Sequence, residues 1–224
     1  MPVTTIAFDT STPLTVAAVS VNGGILESSL EAPPGGHPAH CAQLVGALDS
    51  LLAGAGSGWD EVARIGVGAG PGTFTGIRIA SSTAEGLRRS TGACVVPVSS
   101  LEALALPLAA RGPGRPVVSV IDANRGEVFA AGWSTSGRLR FGPVACGPQT
   151  LVETLRTLEP EWALAGELPA SFEEEIAASR LVAERGPSAM PAHALCELAL
   201  SGDPVAGPAL PRYVRDPDAV RPNG

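Results

Sequence analysis

Two groups of residues in this sequence have types and spacing suited to binding an anion or a metal ion. The first is the run Gly68-Ala-Gly-Pro-Gly-Thr-Phe-Thr-Gly-Ile-Arg-Ile-Ala80, which follows a short apolar segment at 65–67. Its glycines can adopt positive φ angles, and its proline presets one position of a tight turn. Thr73 or Thr75 can then cap a helix, whose first backbone N–H groups suit an anion. The run is not a Walker loop, because the chain contains no lysine; its cations are 15 arginines.

The second group is Asp9, Thr10 and Ser11, at the end of the first predicted strand. A carboxylate beside hydroxyl groups can hold a hydrated metal ion and, through it, a phosphate. The other interpretation is structural, because an aspartate can also close a turn by accepting bonds from nearby backbone N–H groups. Asp122 holds the corresponding place in the second half of the chain, and both interpretations apply to it.

His37, His40 and Cys41 are metal-ligating residue types that lie close together in the sequence. Pro38 and the glycines before it place His37 in a loop, and the remaining histidine, His193, is distant along the chain. The sequence also lacks the His-Glu-x-x-His spacing of a metallopeptidase. We therefore predict no metal site in this chain.

The apolar pattern predicts an internal duplication. Each half begins with a strand that ends in an aspartate and continues into a hairpin and a third strand. The predicted strands are 4–9, 14–21, 25–31, 65–67, 94–98, 117–121, 127–133, 138–146, 162–165 and 181–183. The predicted helices are about 39–52, 75–90, 101–110, 150–158, 171–178 and 191–200. Mixed strands with interleaved helices indicate an α/β fold of two lobes, with mixed sheets and flanking helices.

The glycine- and proline-rich segment 111–116 is the predicted junction of the two lobes. We expect an N-terminal lobe at 1–110, a smaller C-terminal lobe at 111–210 and a tail at 211–224. Two turn residues, Asn22 and Gly23, mark the first hairpin, because both tolerate a left-handed conformation.

Composition limits the classes of function. The chain has 224 residues, 45% of them hydrophobic, and a formal net charge of −7, so we expect a globular protein that grips a phosphate backbone poorly by itself. Four scattered cysteines without a Cys-x-x-Cys pair, and an N-terminus that reads directly into a strand, favour a reduced cytoplasmic protein. The apolar runs are too short to span a membrane, so we expect no membrane association.

Four motifs in the order found here resemble the TsaB family of the actin/heat-shock-chaperone/sugar-kinase superfamily. They are Ile6-Ala-Phe-Asp-Thr-Ser-Thr12, Gly70-Pro-Gly-Thr-Phe-Thr-Gly-Ile-Arg78, Ile121-Asp-Ala-Asn-Arg-Gly-Glu-Val-Phe129 and Pro211-Arg-Tyr-Val-Arg215. The motifs span nearly the whole chain, and the glycine-rich one is the most specific.

The resemblance implies two actin-like lobes of duplicated ribonuclease-H-like topology and a role in tRNA threonylcarbamoyladenosine modification. It implies a non-catalytic scaffold that holds its sister, the transferase TsaD, in an active assembly that the ATPase TsaE joins. The chain would need no cofactor of its own, with ATP and magnesium at the partners or at the interface of the complex. It would pair with itself when alone and meet tRNA only through the complex.

One face of the two predicted helices 39–52 and 75–90 is the expected partner surface. In the second helix, Ile77, Ala80, Ala84 and Leu87 form an inner stripe, and small, mostly uncharged residues form another face. A helix packed on two sides within one domain is the alternative. The predicted interface residues are His40, Gln43, Leu44, Ala47, Thr75, Gly76, Arg78, Ile79, Ser82 and Gly86.

The second group, together with its counterpart in the other half, would then be a vestigial nucleotide or phosphate site formed by Asp9, Thr10, Ser11 and Asp122. The alternative function is a stand-alone ATP-dependent kinase or ATPase of the same superfamily, which would use Asp9 and the glycine turns to hold phosphate. A metallopeptidase is the third and least favoured. In the tail we expect a cluster formed by Arg212, Tyr213, Arg215 and Arg221. For this cluster we favour a docked segment with a solvated charged face over a contact with TsaE or tRNA.

Overall fold

Two five-stranded sheets form the framework of the computed structural model, which describes residues 3–31, 40–111 and 114–214. The first sheet contains β1 (Thr4–Asp9), β2 (Thr15–Val21), β3 (Gly24–Leu30), β4 (Val62–Gly68) and β5 (Cys94–Val98). Its strand order is β3-β2-β1-β4-β5, with β1 antiparallel to β2 and parallel to β4. The turn between β2 and β3 places Asn22 and Gly23 at φ 54° and 84°, as predicted for this hairpin.

The second sheet repeats the topology of the first. It contains β6 (Val117–Asn124), β7 (Glu127–Trp133), β8 (Leu139–Cys146), β9 (Trp162–Ala165) and β10 (Val182–Arg185). Its order is β10-β9-β6-β7-β8, which matches the first sheet when strands are counted from the start of each half. β6 is antiparallel to β7 and parallel to β9, as β1 is to its own neighbours. The predicted duplication is therefore confirmed.

Within the described ranges, six α-helices cover the two sheets in three layers. They are α1 (His40–Gly54), α2 (Phe74–Thr91), α3 (Ser100–Ala109), α4 (Pro148–Leu158), α5 (Ala170–Ser179) and α6 (Ala192–Ser201). Helices α1 and α2 share a core with the outer face of the first sheet, and α4 and α5 share one with the outer face of the second. Helices α3 and α6 lie in the apolar core between the two sheets.

Each of the two inner helices packs on the sheet of the other half of the chain. Helix α3 follows the last strand of the first sheet but contacts β6, whereas α6 contacts β1 and β4. Gly66 on β4 permits the close approach of α6, since a Cβ atom built on it would lie 2.6 Å from the Cβ of Ala199. Arg64 reinforces this contact by donating hydrogen bonds to the carbonyl oxygens of Ala199 (3.1 Å) and Gly202 (2.6 Å). The lobe limits 1–110 and 111–210 stay a prediction, because each half contributes a helix to the sheet of the other.

The segment that follows α6 returns to the first sheet and to α2. Val205 forms an antiparallel bridge with Val95 on the edge strand β5, and Ala209 is buried in the core that includes α1 and α2. The Ser81 hydroxyl of α2 donates a hydrogen bond to the Ala209 carbonyl oxygen at 2.5 Å. Among the described residues, no helix combines the length and the apolar character needed to cross a membrane.

Candidate functional site

The glycine-rich turn joins β4 to α2 as its sequence predicts. Gly70 has φ 93°, a conformation that only glycine adopts without steric cost, and Thr73 is the N-cap of α2. The Thr73 hydroxyl accepts a hydrogen bond from the Gly76 N–H at 3.2 Å. Of the two predicted caps, the structure uses Thr73. Thr75 lies two residues later, in the first turn of α2, and is exposed.

Asp9, Thr10, Ser11 and Ser100 form a buried polar cluster, called the Asp9 cluster below. Each of the four residues is at most 1% exposed. One carboxylate oxygen of Asp9 accepts a hydrogen bond from the Ser11 N–H, and the other accepts one from the Ser100 hydroxyl, both at 2.5 Å. The Thr10 hydroxyl donates to the Gly76 carbonyl oxygen at 2.6 Å. Both carboxylate oxygens of Asp9 are therefore engaged by the chain itself.

The glycine-rich turn packs directly against the Asp9 cluster. A Cβ atom on Gly68 would collide with the Asp9 carboxylate, one on Gly72 with the Ser11 carbonyl oxygen, and one on Gly76 with the Thr10 carbonyl oxygen. The Thr73 N–H also donates to the Ser11 carbonyl oxygen at 2.7 Å. The backbone of Gly68 therefore lies against Asp9, while the turn at Gly72 lies against Ser11 and the first turn of α2 lies against Thr10.

Asp122 lies apart from Asp9, on the wall of a cavity between the two halves. It is exposed, and one of its carboxylate oxygens accepts a hydrogen bond from the Asn124 N–H at 2.7 Å. The cavity has a volume of about 480 Å³ and is also lined by Ser11. Its described lining includes the acidic residues Asp122 and Glu167 but no arginine or histidine, which disfavours a phosphorylated ligand.

The outer surface of α1 and α2 carries most of the predicted interface residues. Gln43, Thr75, Arg78, Ser82 and Gly86 are exposed, and Ala47 and Ile79 are half-buried. These seven residues are called the partner face below. His40 begins α1, and its side chain lies outside the described part of the chain, as do His37 and the side chain of Cys41.

Two predicted interface residues lie inside the chain and not on its surface. Leu44 is 0% exposed and packs in the core with Leu48 and Leu52, because a spacing of four residues places all three on the buried side of α1. Gly76 is buried against Thr10. Neither position offers surface to a partner, and the partner face excludes both.

An apolar groove beside the partner face was missed by the sequence analysis. It is lined by Val45, Trp59 and Leu87, among others, and has a volume of about 610 Å³. Val45 is 42% exposed on the surface of α1. Trp59 is held in place by its indole N–H, which donates to Asp49 at 3.0 Å.

Charged side chains on α2 form a local network. Glu85 accepts hydrogen bonds from Arg88 at 2.8 Å and from Arg89 at 2.7 Å. These bonds, first from Arg88 and then from Arg89, lower the pKa of Glu85 from 4.5 to about 2. Glu85 therefore stays ionised well below the usual range of a glutamate.

Tyr213, near the end of the described chain, contacts the beginning of α2. The Arg78 Nε donates to the Tyr213 hydroxyl at 3.1 Å, and the Arg78 guanidinium lies 3.8 Å from the centre of the Phe74 ring. The rings of Phe74 and Tyr213 are 5.3 Å apart. These three residues are called the tail stack below; Arg215 and Arg221, predicted to cluster with Tyr213, lie outside the described residues.

The cysteines with described side chains are free thiols. Burial raises the pKa of Cys196 to about 12, with smaller contributions from the nearby Glu197 and Glu27. Burial also raises the pKa of Cys146, and Glu127 adds to the effect. No group of three or more histidine, cysteine, aspartate or glutamate side chains suited to a metal ion occurs in the parts of the chain that the structure describes.

Comparison with known proteins gives the family. A family model described as "TsaD: tRNA N6-adenosine threonylcarbamoyltransferase" matches residues 25–142, more than half of the chain. The tRNA threonylcarbamoyladenosine biosynthesis protein TsaB of Haemophilus influenzae is 34% identical over 90 residues, which are 40% of this chain and 38% of that protein. TsaB of Escherichia coli K12 is 26% identical over 168 residues, 72% of this chain and 70% of that protein. The chain belongs to the TsaB family. This chain therefore spans 38% of the length of the Haemophilus relative and 70% of the length of the Escherichia relative.

Solved structures agree with this family and with the predicted fold. The structure of YeaZ from Pseudomonas aeruginosa superposes with a TM-score of 0.72 at 26% identity, covering 94% of this TsaB-family chain and 99% of that one. A ROK hexokinase from Thermus thermophilus superposes with a TM-score of 0.51 at 15% identity, over 90% of this chain and 98% of that one. The hexokinase shows only the fold, and the predicted actin-like, two-lobed α/β architecture is confirmed.

Proposed function

We propose that this chain is a non-catalytic scaffold that activates a TsaD-type transferase in the formation of threonylcarbamoyladenosine in tRNA. Two relatives named as threonylcarbamoyladenosine biosynthesis proteins support the role in this modification. We further propose that a TsaE-type ATPase joins the assembly, and that ATP and magnesium bind at the partners or at the interface of the complex.

The state of the Asp9 cluster is the observation that carries the non-catalytic assignment. A phosphate or a hydrated metal ion at Asp9 would need free carboxylate oxygens and open space. Here Ser11 and Ser100 engage both oxygens of Asp9, and Gly68 approaches the carboxylate too closely to leave that space. Because the cluster is satisfied internally, its contribution is to hold α2 against the first sheet.

The partner face supports the scaffold assignment from a second direction. Gly86 has nothing within 4 Å of a Cβ built on it, and Ser82 is also small and exposed, so another helix could approach α2 closely there. Half-buried Ile79 and exposed Val45 add apolar area beside these small residues. We propose that the transferase and a second copy of this chain compete for this face, so that self-pairing is isologous.

Light scattering on a sizing column tests the proposal, with the chain alone and mixed with the TsaD homologue of the same genome. A mixed complex that forms at the expense of any self-dimer is expected. Ile79→Glu should weaken both kinds of pairing, because the interface would bury an unpaired charge. Ser82→Arg is a second variant, since Ser82 is exposed and its replacement does not disturb the core.

Leu139→Glu is the matched control, because Leu139 is 49% exposed on β8 of the other half. It makes the same apolar-to-acidic change away from the partner face. The proposal fails if the wild-type chain does not associate with the transferase homologue, with or without nucleotide and the TsaE homologue. Intact pairing in both α2 variants would move the interface elsewhere.

A stand-alone kinase or ATPase is the competing function, and equilibrium binding of magnesium–ATP to the isolated chain separates the two. We expect no binding at the Asp9 cluster, and no effect of Asp9→Asn on any residual binding. Tight binding that Asp9→Asn abolishes would favour the kinase or ATPase over the scaffold.

A further inference from the structure

An aromatic and cationic cavity lies where the tail meets the beginning of α2. It has a volume of about 340 Å³ and its lining includes Phe74, Phe129 and Tyr213, together with Arg125 and Arg212. The chain contains one tyrosine and five phenylalanines, so half of these six aromatic residues converge on one cavity. A volume of this size suits one small ligand unit and not a folded segment of another protein.

Tyr213 is exposed, yet it is held in a fixed position. Its side chain is 42% exposed, and that of Phe74 is 37% exposed. The tail stack supports the Tyr213 ring from one side through Phe74 and fixes its hydroxyl through Arg78. The N–H of the preceding residue, Arg212, donates to the Ala69 carbonyl oxygen at 2.8 Å, which anchors the backbone. An exposed ring fixed in this way can stack on a planar ligand at little entropic cost.

The charges around the cavity suit a ligand with both a planar group and a phosphate. Arg125 and Arg212 line it beside the aromatic rings, and Asp122 is the acidic side chain in the described lining. One oxygen of Asp122 already accepts the Asn124 N–H. The neighbouring cavity between the two halves, described above, has carboxylates and no cation in its described lining. Of these two cavities, the one beside Tyr213 is therefore the one suited to a phosphate.

We propose that this cavity binds an unpaired nucleotide of an RNA strand, with the base stacked on Tyr213 and the backbone phosphate paired with Arg212. Proteins recognise single-stranded RNA by stacking splayed bases on aromatic rings beside arginines that contact the backbone. The inference rests on the proposed function, in which the modified substrate is a tRNA. It adds that this chain, and not only its partners, contacts an unpaired nucleotide.

The test is fluorescence anisotropy of a short 5′-labelled single-stranded oligoadenylate titrated with the full-length chain alone. Tyr213→Leu removes the π face but keeps apolar packing on Phe74, and we expect it to weaken binding on the order of tenfold. Tyr213→Phe keeps the ring and loses only the hydroxyl that Arg78 contacts, so we expect it to bind within about twofold of the wild type.

The phosphate contact has its own test in the dependence of binding on salt. Arg212→Gln should lower the slope of log K against log salt by about 0.7, the value for one phosphate contact to a single strand. Its backbone N–H still reaches Ala69, so the tail stays docked. Arg138→Gln is the matched control, because Arg138 is exposed and lines a different surface at 134–140. We expect its slope to equal that of the wild type.

Several outcomes would overturn the inference. These are no binding by the wild-type chain, equal binding by wild type and Tyr213→Leu with unchanged thermal unfolding, or equal loss in the Leu and Phe variants. Adenosine monophosphate that binds as tightly as the oligonucleotide would overturn the RNA assignment in favour of a free nucleotide. The assay uses the chain alone, so a failure to bind RNA does not contradict association with the transferase homologue. Likewise, a failure to associate with the homologue would not explain a loss of RNA binding by the chain alone.

Discussion

Replacement of Gly76 by alanine tests whether the glycine-rich turn is required by close packing. Gly76 lies in the first turn of α2, where its carbonyl oxygen accepts the Thr10 hydroxyl at 2.6 Å. An alanine Cβ would collide with the Thr10 carbonyl oxygen and lie 2.6 Å from the Thr73 hydroxyl oxygen. Thr10 is 0% exposed and belongs to the Asp9 cluster, so α2 must shift instead.

The expected cost follows from two effects of that shift. Overpacking of a well-filled interior costs about 1–3 kcal/mol. Loss of the bond from the Thr10 hydroxyl leaves a buried polar group unsatisfied, which costs about 1–3 kcal/mol more. Alanine has a better helix propensity than glycine by about 1 kcal/mol, which offsets part of the loss. We therefore expect Gly76→Ala to lower the free energy of unfolding by about 3 kcal/mol, a large fraction of the about 5–15 kcal/mol typical of a domain.

Gly86→Ala is the matched control within the same helix. A Cβ on Gly86 meets no atom within 4 Å, so only the propensity term remains and we expect stabilisation of about 0.5–1 kcal/mol. The measurement is urea unfolding followed by tryptophan fluorescence, at two protein concentrations so that self-association is recognised. A Gly76→Ala variant as stable as Gly86→Ala would refute the packing argument.

Three further predictions concern charge, thiol chemistry and helix packing. The lowered pKa of Glu85 stabilises the folded state above about pH 4.5, and this stabilisation is lost as the pH falls towards about 2. The difference in urea midpoint between wild type and Glu85→Gln should therefore shrink between these two pH values. Buried Cys196, with its pKa of about 12, should resist iodoacetamide at pH 8 while half-buried Cys94 is alkylated, as peptide mass spectrometry would show. Arg64→Ala removes two hydrogen bonds to the end of α6 and should cost about 2 kcal/mol in urea unfolding.

Each of these has an outcome that contradicts it. A pH dependence shared by wild type and Glu85→Gln would remove Glu85 as its cause. Alkylation of Cys196 at the rate of Cys94 would mean that α6 opens readily from the first sheet. If Arg64→Ala leaves the free energy of unfolding unchanged, the apolar contact near Gly66 is sufficient to hold α6 against the first sheet.

The sequence predicted the local structure and the repeated topology well. Thr73, one of the two predicted caps, is the N-cap of α2, and Asn22-Gly23 forms the predicted first hairpin turn. These features depend on sterics and hydrogen bonds between residues three or four positions apart, which a sequence displays directly. The resemblance of four ordered motifs to the TsaB family indicated the family.

Within the two helices predicted to carry the partner face, the sequence assigned some residues to the wrong side. Leu44 and Gly76 were predicted at the partner interface and are buried. Helical periodicity shows which side chains share a face of the helix, but it does not show which face another element covers. That choice depends on α2 and on the β1–β2 turn, which come from elsewhere in the chain.

What the sequence determined by itself was the set of elements, their repeat and the residue types available for chemistry. Only the tertiary structure decided what those residues do, because the deciding contacts join positions far apart: Thr10 to Gly76 across 66 residues, Asp9 to Ser100 across 91 and Arg78 to Tyr213 across 135. The same Asp9 could have faced an open cleft or its own chain. Packing of α2 and α3 against the end of β1 closed it, and left an exposed tyrosine beside arginines at the beginning of the tail.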